Sequence, residues 1–210
     1  MPPNPSPAEI AREIARRDKA FKPIIDLAGP PPRRRNAPVD DRFGSLVRSI
    51  TFQLLTTKAA GTIHGRVHEF CGSTVSPDTI IRVGVDQLRS AGLSRTKAQA
   101  MVDLATRVRD QQVQLAHHGR MSDQEILQEV TTVRGIGPWT GQMYLMHTLA
   151  RADVWPIGDF GVRSGWSLLH ADEEIISEQG LKVAGEKFEG LRSDVAWYCW
   201  EAVHFQRAAK

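Results

Sequence analysis

Residues 125–165 read EILQEVTTVRGIGPWTGQMYLMHTLARADVWPIGDFGVRSG, and their pattern decides the fold class. Ile126, Leu127, Val130 and Val133 recur at helical spacing and make one apolar face. Arg134-Gly135-Ile136-Gly137 breaks that helix, and Pro138 suits the first turn of a second one reaching about Arg151. The spacing predicts a helix, a tight turn and a helix over about 126–150. Glycines 135 and 137 permit positive φ and close backbone approach, and Ile136 can anchor the turn in a core. The open amides of the second helix would then point outward with a partial positive charge, a seat for a phosphate that positions without reading base sequence. Taken alone, Gly-Ile-Gly-Pro also describes a ligand-free turn between two helices. Downstream, Pro156-Ile157-Gly158-Asp159 sets a carboxylate immediately before an apolar helix, Phe160 to Leu169. Asp159 alone reads as that helix's N-cap.

Outside this stretch the helical period returns repeatedly. Ile10 pairs with Ile14, and Phe43, Leu46, Val47, Ile50, Leu54 and Leu55 follow spacings of three and four. Ser76-Pro77, Ser94 before the run to Arg109, and the box Ser122-Asp123-Gln124-Glu125 are helix starts. Clean period-two alternation is absent. The expectation is an all-α chain of roughly ten short helices joined by loops of a few residues. Four prolines among residues 1–7 predict a disordered tail there.

Composition narrows the class of function. With 210 residues, 41% apolar and 24% charged, the chain is a globular protein of one domain or two small lobes. Cys71 and Cys199 cannot supply a four-thiolate zinc or iron–sulfur site, and they do not indicate a disulfide-stapled secreted domain, so a reducing cytoplasm is expected. The longest uncharged stretch, 135–150, is too short and too polar for a membrane span, and the start MPPNPSPAE lacks the regions of a signal peptide. Residues 1–40 hold eight Lys+Arg against five Asp+Glu, while 41–210 balance at nineteen each, so the net charge of +3 comes from the N-terminal end. Arg33, Arg34 and Arg35 follow three prolines and form a basic loop that either touches phosphates or stays solvated. His64 and His68 have the i, i+4 spacing of a zinc pair, but no third ligand completes it, and they read as surface residues.

The pairing of VRGIGPWT with DVWPIGDFGVR resembles the helix–hairpin–helix (HhH-GPD) DNA glycosylase superfamily, and within it the alkylpurine, or 3-methyladenine, branch. Further blocks carry the resemblance: FGSLVRSI at 43–50 leading to Gln53 and TKAA at 57–60, GLSRTKA at 92–98, and LRS at 191–193 with AWYCW at 196–200. It implies two helical lobes, about 43–160 and 8–42 with 161–210, and a cleft between them. It implies a monomer that binds double-stranded DNA, extrudes a damaged purine and hydrolyses its N-glycosidic bond, nucleoid-associated if bacterial.

By that resemblance Asp159 is the catalytic carboxylate beside the developing sugar cation, and the helix start suits its negative charge. Trp139 stands where members that also nick DNA carry a lysine, which implies a monofunctional enzyme. Trp139, Met143, Tyr144 and Trp200 match the base pocket, although each also reads as a core residue. Gly135, Ile136, Gly137, Thr140 and Gln53 match the DNA-contacting set, and Leu54 matches an apolar wedge that fills the gap left by the extruded nucleotide. By period alone Leu54 is a core leucine. Phe160 and Gly141 replace a commoner leucine and alanine, changes expected to adjust packing. No cofactor is expected beyond Na+ or K+ held by backbone carbonyls around Thr131, Val133 and Gly135. Two rivals stay open: a glycosylase for deaminated or oxidised bases, and a non-catalytic binder of DNA structure.

Overall fold

The structure is a computed structural model that describes residues 5–72 and 74–209. Among these residues there is no strand, and none of the helices is long and apolar enough to cross a membrane. The chain divides into two compact units, 1–35 with 151–210, and 36–150.

In the first unit, α1 (Pro7–Arg17) and α2 (Lys22–Ala28) join α9 (Phe160–His170), α10 (Glu178–Ala184) and α11 (Arg192–Ala208). Ser6 caps α1 in a reciprocal box with Glu9, and Pro7 fills its first turn. Residues 6 and 7 are thus a helix start and not the expected tail; residues 1–4 lie outside the described residues. Phe21 packs edge-on against Trp166 at 5.7 Å and Phe188 at 5.5 Å, three aromatic rings around which the unit closes. Arg34 spends its charge on buried Asp194 at 2.7 Å, while Arg33 and Arg35 are exposed. The basic loop therefore presents two arginines, because the burial that pushes the Asp194 carboxyl upward is countered by the third.

The second unit holds α3 (Val39–Phe52), α4 (Thr57–Cys71), α5 (Pro77–Ser90), α6 (Arg95–Arg109), α7 (Asp123–Val130) and α8 (Pro138–His147). Ser76, Ser94 and Ser122 cap α5, α6 and α7 as their local pattern predicts. Leu46 and Ile50 of α3, Met101 and Leu104 of α6 and Ile126 and Val130 of α7 are fully buried. The helical period seen through Leu54 and Leu55 outruns the helix, which ends at Phe52. α8 likewise stops at His147, before the expected Arg151.

The expected lobe boundaries were 42/43 and 160/161; the compact units divide at 35/36 and 150/151. Residues 151–159 are stitched to the first unit. Ser193 Oγ donates to Arg151 O at 2.8 Å and accepts from the Val154 amide at 2.9 Å. Arg192 forks onto Asp153 at 2.6 and 2.5 Å, and Trp155 Nε1 donates to Leu181 O at 2.8 Å.

Candidate functional site

The hairpin of the second unit is built from α7, a turn and α8. Ile136 is buried in the turn, as its anchoring role requires, and its amide donates to Val133 O at 3.1 Å. Gly135 has φ +81°, and a Cβ there would stand 3.0 Å from Ala100 Cβ, so backbone strain and space both call for glycine. Gly137 differs from expectation: its φ is −92° and a Cβ would meet open space. No side chain caps α8, although Ser or Thr caps α4, α5, α6 and α7.

This contrast makes a prediction. Gly135→Ala is expected to cost stability, about 1–2 kcal/mol for a left-handed L-residue. Gly137→Ala should leave the melting temperature unchanged and weaken duplex affinity by roughly tenfold, ~1.4 kcal/mol. Equal duplex affinities for wild type and Gly137→Ala, measured by fluorescence anisotropy, would remove the hairpin from the interface.

Two neighbours hold the turn. Asp103 of α6, gripped by Arg107 at 3.1 Å, accepts the Arg134 amide at 2.7 Å. Gln53 Nε2 donates to Gly135 O at 3.1 Å and to Thr140 Oγ1 at 2.9 Å. Thr140 is buried and Gln53 half-buried, so these two members of the expected DNA-contacting set have their side chains turned to the protein. Their bonds support the turn itself. Leu54, in contrast, is entirely exposed with φ +53°, which removes the core reading left open by its period.

Trp139, in the first turn of α8, is 39% exposed, and Met143 one turn later is buried. Tyr144 is a core residue: fully buried, it has its hydroxyl 3.0 Å from His118 Nδ1, and His118 Nε2 lies 2.9 Å from Glu129 of α7. Its polar end is thereby occupied within the second unit, tying the two hairpin helices together through a histidine that no local pattern singles out. Gly141 lets α7 and α8 approach, since a Cβ would stand 2.6 Å from Leu127 Cδ2.

In the first unit, Asp159 is the N-cap of α9. Its Oδ1 accepts the Val162 amide at 2.8 Å and the Trp200 indole N–H at 3.1 Å. Trp200, expected as a pocket wall, gives its indole N–H to this carboxylate. A Cβ on Gly161 would lie 3.0 Å from Trp200 Cδ1 and 3.1 Å from Asp159 Oδ1, so glycine leaves room for this bond. One turn on, a Cβ on Gly165 would sit 1.9 Å from Cys199 O. The i, i+4 glycines are the face by which α9 meets α11, a signal present in the sequence and unread there. Phe160 lies off that face and is 63% exposed, so its ring contributes little to the packing it is expected to adjust. Burial, aided by the Asp159 charge, pushes the Cys199 thiol up and keeps it neutral.

The hairpin carbonyls suit a monovalent cation by donor chemistry. Val133 O and Gly135 O each accept one hydrogen bond, and a carbonyl oxygen has a second lone pair. His64 and His68 touch through their Nε2 atoms at 3.2 Å, and His64 is half-buried instead of lying on the surface. Burial, then the neighbouring His68 and Arg48, lower its pKa to about 4. No group of three or more His, Cys, Asp or Glu able to hold a metal occurs among the described residues.

With this geometry in place, the comparisons are specific. Residues 47–188 match the model of the HhH-GPD superfamily base excision DNA repair proteins. DNA-3-methyladenine glycosylase 1 of Schizosaccharomyces pombe is 27% identical over 187 residues, covering 88% of this chain and 82% of that protein. The solved structure of a 3-methyladenine DNA glycosylase from the same yeast, in complex with abasic DNA, superposes with a TM-score of 0.84 at 25% identity, over 91% of this chain and 95% of that one. A DNA-3-methyladenine glycosidase from Bacillus halodurans gives a TM-score of 0.80 at 28% identity, over 94% and 91%.

Proposed function

The chain belongs to the HhH-GPD superfamily of base excision DNA repair proteins, and from that membership we propose that it is a monofunctional DNA glycosylase releasing alkylated purines from duplex DNA, as a monomer. The observation that carries the chemistry is Asp159 at the start of α9, its Oδ1 oriented by Val162 N–H and the Trp200 indole. An alkylated purine is already cationic, so the C1′–N bond can break with its electron pair leaving on the base and no strong general acid is needed. The sugar is left with oxocarbenium character, which a fixed carboxylate stabilises without reorganising. Water then bonds C1′ through its oxygen and gives up a proton, with the carboxylate as the acceptor at hand.

Trp139 supports the monofunctional reading. It stands two residues after Gly137 and has no amine to form a Schiff base. Its exposed ring offers a π-face to a cationic purine. The names of the 3-methyladenine glycosylase relatives support 3-methyladenine as a substrate, and 7-methylguanine, equally cationic, is the second substrate of this reading. The carbonyls of Thr131, Val133 and Gly135 would hold Na+ or K+, and such an ion supplies positive charge beside the bound phosphate.

The test is base release from methylated duplex DNA, with free purines resolved by chromatography and the strand assayed for nicks before and after alkali. Released methylpurines with nicks only after alkali are expected. Nicks without alkali would overturn the monofunctional assignment, and release only from deaminated or oxidised duplexes would overturn the substrate class.

A further inference from the structure

Lys97 belongs to the Gly92–Ala98 block, and nothing in the proposed chemistry uses it. It is the third residue of α6, whose Ser94 cap accepts the Lys97 amide at 3.3 Å. A cation in the first turn stands at the unfavourable end of its own helix. Its ammonium leaves that helix and donates to Thr51 O at 2.9 Å and Gln53 O at 2.5 Å. Those carbonyls are at the C-terminal end of α3, where unpaired acceptors and the negative pole of the helix concentrate. Burial lowers the Lys97 pKa, as for a head group drawn out of water toward these two acceptors.

Gln53 is therefore gripped twice. Lys97 holds its backbone carbonyl, and its side-chain amide reaches Gly135 O and Thr140 Oγ1 of the hairpin. The next residue, Leu54, combines a left-handed backbone with complete exposure, two unfavourable conditions that persist only where the surroundings impose them. We propose that Lys97 is a positioning residue: by capping α3 it fixes Leu54 in its projecting conformation, in register with the hairpin, so that hairpin docking and Leu54 insertion occur on one rigid element. This rests on the reading of Leu54 as a duplex-facing wedge.

The test uses the full chain and a duplex carrying a tetrahydrofuran abasic analogue opposite 2-aminopurine, whose fluorescence reports insertion into the gap without requiring excision. Wild type is expected to change the fluorescence, and Lys97→Met to lose most of that change while binding undamaged duplex with unaltered affinity. Lys97→Arg, which keeps a charged donor, should retain most of it. In a Leu54→Ala background, Lys97→Met should add no further loss, because Lys97 acts through Leu54. Full retention of the signal in Lys97→Met, or a loss additive with Leu54→Ala, would overturn the proposal. If Lys97→Met does not melt cooperatively, Lys97→Gln, with one neutral donor, carries the same comparison. Absence of any signal with the wild-type chain would overturn the roles of Leu54 and Lys97 together. Base release from methylated DNA, measured separately, would still decide the proposed activity.

Discussion

Asp159→Asn is expected to lower the single-turnover rate of methylpurine release by about 10²–10³-fold, the scale for losing one preorganised electrostatic contact in a transition state. Duplex affinity should be unchanged. Asparagine has the same shape, and its side-chain oxygen can still accept the Val162 amide and the Trp200 indole, the two donors that reach Asp159 Oδ1 at 2.8 and 3.1 Å. The start of α9 therefore stays capped, and what disappears is the negative charge. On the proposed reading affinity is expected from phosphate contacts made by the hairpin rather than from this side chain, which separates the two readouts. Release of bases at the wild-type rate would remove Asp159 from the chemistry. A parallel fall in affinity and in melting temperature would assign it a capping role alone.

Gly165→Ala is expected to destabilise the first unit by about 3 kcal/mol or more, at the upper end of overpacking costs. The reason is the nature of the obstacle. The new Cβ would lie 1.9 Å from the Cys199 carbonyl oxygen and 2.5 Å from its carbon, and a backbone cannot rotate away as a side-chain tip can. α9 and α11 would have to separate, opening the aromatic core around Phe21, Trp166 and Phe188. For a chain of this size such a loss lowers the melting temperature by roughly 6–12 °C. Circular dichroism melting decides the matter, and an unchanged midpoint would mean that the two helices do not cross at this glycine. The variant should also lose base release well below the temperature at which wild type does, since α9 carries Asp159 at its first turn.

These two residues show different degrees of legibility. Asp159 stands out in the sequence because capping is local: the side chain meets an amide three residues away, and the apolar helix that follows is visible. The same holds for Ser76, Ser94 and Ser122, for Pro138 at the start of α8, and for buried Ile136 between two glycines. Gly165 belongs to a spacing that is visible once sought, but its meaning depends on Cys199, thirty-four residues on. Phe160 is the mirror case, exposed at the start of an apolar helix, since only the contact face of α9 decides which of its residues are inside.

The local code, helical period with caps and breakers, was sufficient to establish an all-α chain, the hairpin and the carboxylate that opens α9, because each rests on partners within about one helical turn. The end of α3 at Phe52, the outward projection of Leu54, the inward turn of Gln53 and Thr140, the burial of Tyr144 against His118 and the use of Lys97 as a cap required the folded chain. Their partners lie 26 to 87 residues apart in sequence, and periodicity alone continues the helix through Leu54 and assigns that leucine to a core. Hydrogen bonds of such separation are set by how helices pack, and packing depends on the whole chain, so no window of residues carries them.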